Sequence, residues 1–246
     1  YRSEKFLCSG ALFWMYSDCY PTSGWCFVDY YGNKKPLYYY TKRAFAPVGI
    51  FFSGYNPNAL QGMREYRAHY AQNGAALRIA LTSDLKRSVS LDCTVRVMTL
   101  AGKTLLSETF ASDLPENSAK PDAYTIDVTP CLADCDPCDL VVQCTASLDG
   151  EIAAENRCFL APFKDLHLEK TPVRCEAAPC GGAVTLTLTA DRYVWLCHLP
   201  HDEGVFFDNN DFDLVPGTPV RVTVSGPAAK DYKFRCLTMN DCLPNG

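Results

Sequence analysis

The sequence predicts a mainly β protein: two successive β-sandwiches preceded by a single strand–loop–helix unit. Three observations predict it. An apolar run of large side chains at 10–16 leads into an aromatic loop and a proline-bounded helical stretch. From Val48 onward, short and loosely alternating apolar segments recur between turn signals. These segments fall into two sets, which part near Ala161-Pro162-Phe163-Lys164.

The first unit reads Gly-Ala-Leu-Phe-Trp-Met-Tyr at 10–16, a length and composition suited to a strand buried on both faces. An aromatic loop follows at 18–25. Pro36 then opens a stretch of good helix formers over 37–45, with basic residues in its last turn and Pro47 as its stop. Strand, loop, helix and stop make one unit of a parallel α/β fold. One unit cannot bury its own strand, and a closed barrel of eight needs about 250 residues. Residues 1–47 are therefore expected to be the last piece of a larger parallel α/β fold, incomplete as it stands. Tyr1 is neither a methionine nor the start of a signal-like segment, so the natural start is expected upstream and targeting is not legible.

Within 48–163 the strand-like segments are 75–82, 88–100, 124–129 and 139–147, separated by Ala-Gly-Lys at 101–103 and Asp-Gly at 149–150. This spacing suggests an immunoglobulin-like sandwich, although the Cys…Trp…Cys hallmark of antibody domains is absent. The second set, 183–189, 192–197 and 220–225, fits a smaller sandwich over 164–246.

Composition is that of a globular chain, with 48% hydrophobic and 21% charged residues. A net charge of −5 leaves no electrostatic footprint for nucleic acid or an anionic membrane surface. The 14 cysteines among 246 residues fall below the roughly 8–10% that marks a disulfide scaffold. Cys93, Cys144 and Cys197 sit where small apolar residues belong, which reads as reduced, buried thiols in a cytoplasmic protein. Cys131, Cys135 and Cys138 have a cluster-like Cys-x3-Cys-x2-Cys spacing, but in a Pro- and Asp-rich turn that favours a plain loop. His198 and His201 flank Pro200, which argues against the helix that would align them on a metal. Asp208, Asn210 and Asp213 lack EF-hand spacing and read as turn-forming residues, with Phe207 and Phe212 packed inwards. No metal and no cofactor is expected.

Two separated stretches carry a resemblance. Gly10-Ala11-Leu12-Phe13-Trp14, Asp18-Cys19, Trp25, Asp29-Tyr30-Tyr31-Gly32, Lys35-Pro36, Tyr38-Tyr39 and Lys42 to Pro47 resemble the last barrel unit of glycoside hydrolase family 2, in its β-mannosidase branch. Far downstream, the segment 207–217, Phe-Asp-Asn-Asn-Asp-Phe-Asp-Leu-Val-Pro-Gly, is similar to the signature of the C-terminal sandwich of those enzymes. Both come in the family's order and at its separation. Residues 51–162 carry no matching motif.

The resemblance implies the C-terminal part of a bacterial retaining β-glycosidase whose partners are an upstream barrel domain and a carbohydrate substrate. Retention needs two carboxyl groups about 5–5.5 Å apart. In the family both glutamates lie on earlier barrel strands. Glu4, Glu65 and the glutamates from 108 to 203 do not stand in the Asn-Glu or Ser-Glu settings the family uses, so no catalytic residue is expected in this chain. Substrate binding is implied for Trp14, as a flat apolar platform, for Asp18, as an acceptor for sugar hydroxyls, and for Trp25, as a wall. The chain departs from the family's Trp-Gln-x-Asn-Asp-x-Trp pattern, having Met15, Ser17 and Tyr20, which puts strict mannose specificity in doubt. The alternative is a free-standing carbohydrate-binding or adhesion module without hydrolase activity. Trp195, the one tryptophan after Val48, lies in a buried-looking strand pattern and argues against it.

Overall fold

The structure is a computed structural model and describes residues 1–53 and 74–243; Glu65 lies outside the described residues. The chain forms two compact units. The first comprises Tyr1–Leu12, Ala44–Thr99 and Lys103–His167; the second comprises Phe13–Arg43, Leu100–Gly102 and Leu168–Gly246.

The first unit is an antiparallel sandwich. Its strands are β1 (Val48–Ser53), β2 (Ala76–Ser83), β3 (Val89–Thr99), β4 (Thr104–Leu114), β5 (Ser118–Asp127), β6 (Leu140–Leu148) and β7 (Glu151–Phe159). They make a sheet of order β1-β2-β5 and a sheet of order β4-β3-β6-β7. In β3 the alternation is plain: Val89, Leu91, Cys93, Val95 and Val97 are buried while Ser90 and Asp92 are exposed. Leu77, Ile79 and Leu81 of β2 and Val142 and Cys144 of β6 complete this core. The Asn156 side chain of β7 donates to the Ile50 carbonyl of β1 at 2.7 Å, tying the two sheets at one side. Pro121 lies where β5 slips register against β2, on an edge strand, the place where a missing N–H does least harm. Asp149 and Gly150 join β6 to β7 with φ of 54° and 86°, the left-handed pair of a type I′ hairpin. At the N-terminus, Arg2 donates to the carbonyls of Ala44 and Ala46 and pairs with Asp84.

The second unit carries the helix α1 (Pro36–Ala44) and the strands β8 (Arg174–Cys180), β9 (Ala183–Thr189), β10 (Val194–Cys197), β11 (Phe206–Phe207), β12 (Phe212–Leu214) and β13 (Val220–Ser225). A four-stranded sheet of order β11-β13-β9-β8 stands beside the pair β10-β12. Leu186, Leu188, Val194, Phe207, Leu214 and Val222 belong to its core. Trp195 is partly buried, and its amide donates to Asn240 Oδ1 at 2.9 Å.

Residues 10–16, expected as a strand, form none. A strand buried on both faces needs a neighbour on each side for its N–H and C=O groups, and among the described residues no strand pairs with this run. The run is irregular, bending at Trp14 and Tyr16, with Leu12 98% and Trp14 82% exposed. Order begins just after it, in isolated bridges between Ser17 and Val28 and between Val28 and Lys34.

Candidate functional site

The expected sugar-binding residues all fall in the loop before α1. Its base is backbone: the amides of Phe27 and Val28 both donate to the Tyr16 carbonyl at 3.0 Å, and Asp18 N donates to Val28 O at 3.1 Å. Phe13 meets the Phe27 ring edge-on at 4.9 Å. From this base Trp14 and Trp25 project into solvent, 82% and 77% exposed. The Trp14–Met15 peptide is cis.

Asp18 is placed differently. It is buried, and its Oδ2 pairs with Lys35 Nζ at 2.7 Å. The same ammonium donates to the Gly24 carbonyl at 2.9 Å and to Cys26 Sγ at 3.1 Å. Gly24 packs so closely on the Asp18 carboxylate that a Cβ there would collide with it. Hydrogen bonding from Cys26 and then from Lys35 holds the Asp18 carboxyl below its ordinary range, against the effect of burial. The same pairing with Asp18, and then with Cys26, raises Lys35. Asp18 thus closes the loop that carries Trp25 and stays an anion while doing so.

Lys35 directly precedes α1, and α1 rests on the 207–217 segment. Arg43 donates to Asn209 Oδ1 at 2.8 Å, to the Asn210 carbonyl at 3.0 Å and to the Asp211 carbonyl at 2.7 Å. Lys42 Nζ donates to the Asp208 carbonyl at 2.6 Å. These cations meet carbonyls of a turn, where charge-assisted bonds are strong. Between the helix ends Tyr39 is buried; burial foremost, then the Asp211 charge, pushes its phenol upward. At the other end His201 Nε2 lies 3.3 Å from the Lys34 carbonyl.

The receiving turn is held by its own side chains. Asn210, fully buried, accepts from Leu199 N and donates to Leu199 O, each at 2.8 Å. Asp211 takes φ of 52° and meets His198 Nδ1 at 2.8 Å. Asp213 accepts from the Tyr193 hydroxyl at 2.6 Å and from Leu196 N at 2.9 Å, fixing a residue whose own φ is 52°. The reading of Asp208, Asn210 and Asp213 as turn-forming residues, and of Phe207 and Phe212 as packed inwards, agrees with these bonds and with the burial of both rings. What sequence reasoning missed is the grip of Arg43 and Lys42 on this turn. Their only local signal was two basic residues in a last helical turn.

Elsewhere, Cys131 and Cys138 lie on two short 3-10 turns, Thr129–Leu132 and Pro137–Asp139, with Cys135 in the bend between them, and Asp136 caps the second through Cys138 N. Burial, aided by Asp136, pushes the Cys138 thiol up to about 12. Among the described residues no three His, Cys, Asp or Glu side chains converge as a metal site would require. Among them, too, no helix is long and apolar enough to cross a membrane.

Residues 75–165 match the Mannosidase Ig/CBM-like domain family, and residues 168–242 match the Ig-fold domain family of mannosidases. "Beta-mannosidase B" of Thermothelomyces thermophilus is 27% identical over 92% of this chain, and that of Aspergillus clavatus is 26% identical over the same share. These curated relatives are fungal and lend no support to a bacterial source. The chain spans about a quarter of their length, 27%. Among solved structures, a β-D-mannosidase from Dictyoglomus thermophilum superposes with a TM-score of 0.80 at 21% identity, over 97% of this chain and 27% of that one. An exo-chitosanase from Amycolatopsis orientalis superposes at 0.63 with 17% identity, over 92% and 29%. With both sandwiches matched and the fold shared, the chain belongs to the β-mannosidase-like branch of glycoside hydrolase family 2 and corresponds to its C-terminal portion.

Proposed function

We propose that the chain is part of a retaining β-glycosidase of the β-mannosidase type, which hydrolyses terminal β-linked sugars, and that it is inactive alone. The observation that carries this reading is the match to β-mannosidases over 92% of the chain, against only 27% of their length. In this reading residues 1–47 are the last unit of the catalytic barrel, 48–163 the first accessory sandwich and 164–246 the second. The catalytic glutamates belong to the upstream barrel, which is the chain's partner, and no cofactor takes part.

Within that arrangement 13–28 forms one side of the sugar subsite. Trp14 offers an indole face to the pyranose ring, and Trp25 walls the subsite. The exposure of both rings supports this, since large aromatic side chains left in water mark a surface awaiting a partner. Asp18 serves by pinning the Gly24–Trp25 corner through Lys35.

The test is turnover of an aryl β-mannoside. The 246-residue chain is expected to show none, while protein extended upstream to include the barrel turns it over. In the extended protein Trp14→Ala is expected to lower kcat/KM by at least ~10-fold, the loss of about one stacking contact in a buried subsite. Turnover by the 246-residue chain that a single Glu→Gln change abolishes would overturn the reading. Tight binding of manno-oligosaccharide by residues 48–246 would instead favour a carbohydrate-binding module.

A further inference from the structure

The aromatic loop and the C-terminal sandwich are joined by a continuous set of bonds through α1. Lys35 binds the loop at Asp18, Gly24 and Cys26, and its own amide donates to Phe27 O at 2.8 Å. One residue earlier, the Lys34 carbonyl meets His201. In the last turn of the helix, Lys42 and Arg43 bind the turn at 208–211. That turn cannot easily yield, because Asn210 is fully buried and bonds both backbone groups of Leu199. The helix is thus held at both ends by one sandwich, and its leading edge holds the loop.

We propose that the 208–211 turn is the positioning element of the sugar-binding loop, with Arg43 and Asn210 as positioning residues that act on Trp14 and Trp25 through α1 and Lys35. This rests on the reading of 13–28 as a sugar subsite. It gives the C-terminal sandwich a task in substrate recognition, exercised through the loop. Arg43 suits the task because a planar fork can satisfy two successive carbonyls and an amide oxygen at once, which an ammonium cannot.

Two measurements test it, both on Arg43→Met, which keeps an apolar stem but loses the donors, and on Arg43→Lys. The first is amide hydrogen exchange in the 246-residue chain, with no sugar present. The amides of Asp18, Phe27, Val28 and Lys35 are expected to exchange at least ~10-fold faster in Arg43→Met, and less so in Arg43→Lys. Retained protection in β9 and β13 shows that the sandwich is still folded. Wild-type exchange in the loop of a folded Arg43→Met chain overturns the proposal, whatever the loop binds. Should both variants lose protection in β9 and β13, Asn209→Ala, which removes one acceptor from the grip, takes their place under the same criterion. The second is aryl β-mannoside kinetics in the upstream-extended protein, where KM is expected to rise ~10-fold with a smaller change in kcat. Faster loop exchange with unchanged KM would leave the mechanical link standing and sink the assignment of this loop to the sugar.

Discussion

Single residues here do their work by ending arguments that the backbone leaves open. Leu196 has φ of 52°, a conformation a leucine adopts at a cost, and Asp213 holds it there by accepting its amide while also accepting from the Tyr193 hydroxyl. His201 gives the sharpest prediction at this scale. Burial foremost, with the charges of His198 and Lys34, lowers its pKa from the ordinary 6.5, against opposing contributions from its bond to the Lys34 carbonyl and from Asp211. Folded His201 therefore resists the proton that the unfolded chain accepts below 6.5. No stability is lost on this account above that value; as pH falls from it towards the lowered folded value, the unfolded state gains protons and stability falls. Thermal midpoints measured at about pH 7.5 and 5.5 should therefore drop on acidification, and should drop less in His201→Gln. Equal drops in the two proteins would show that His201 is not the group responsible. The Asp18–Lys35 pair plays no part in this window, since the lowered Asp18 carboxyl titrates below 3.8.

Among the elements, those with one buried face declared themselves and those on edges did not. β3 and β9 are legible because their side chains must alternate between core and water, and their ends fall within a residue or two of where the pattern puts them. β4 and the first half of β5 escaped notice because their residues are mostly exposed or half-buried, so no period is imposed on them. The helix was legible from its punctuation, Pro36 as its first residue and Pro47 after it. The run at 10–16 misled for a physical reason: composition says what a segment could bury, and only neighbours decide whether it does. The turns offer a test of how much of a hairpin is backbone. Gly150 has φ of 86° and open space where a Cβ would go, so Gly150→Ala is penalised by conformation alone, about 1 kcal/mol. Gly102, at φ of 92°, would place its Cβ 2.7 Å from Pro216 Cβ, so Gly102→Ala must add a collision to the same conformational cost. Denaturant midpoints should rank Gly102→Ala well below Gly150→Ala; the reverse order would mean that the Pro216 ring moves aside freely.

At the scale of the whole molecule the two sandwiches were legible as two sets of strands, and the glycosidase kinship was legible from two short motifs. The meeting of helix α1 with the 208–211 turn was not. Arg43 and Asn210 are separated by 167 positions, and no local pattern can announce a bond over that span. The candidate loop was legible only as a resemblance for Trp14, Asp18 and Trp25, and the Lys35 anchor that organises it went unread. A prediction follows for residues 168–246 expressed without 13–43. They lose the three Arg43 bonds and the Tyr39 packing, a loss of about 3 kcal/mol or more. For a domain of that size this lowers the thermal midpoint by well over ~10 °C relative to the same strands in the full chain. Calorimetry of the two proteins decides it, and an unchanged midpoint would make the helix a passenger.

The bonding of the second sandwich to a helix 166 positions upstream bears on how such proteins can diversify. A terminal domain that folded on its own strands could be exchanged between relatives by a single crossover at its border. This one cannot. A hybrid inheriting residues 168–246 from one parent and 36–44 from another would set an unmatched basic pair against an unmatched turn. Recombination is therefore expected to keep the two stretches together or to spare them both, so that helix and turn descend as one heritable piece although a whole sandwich separates them in sequence.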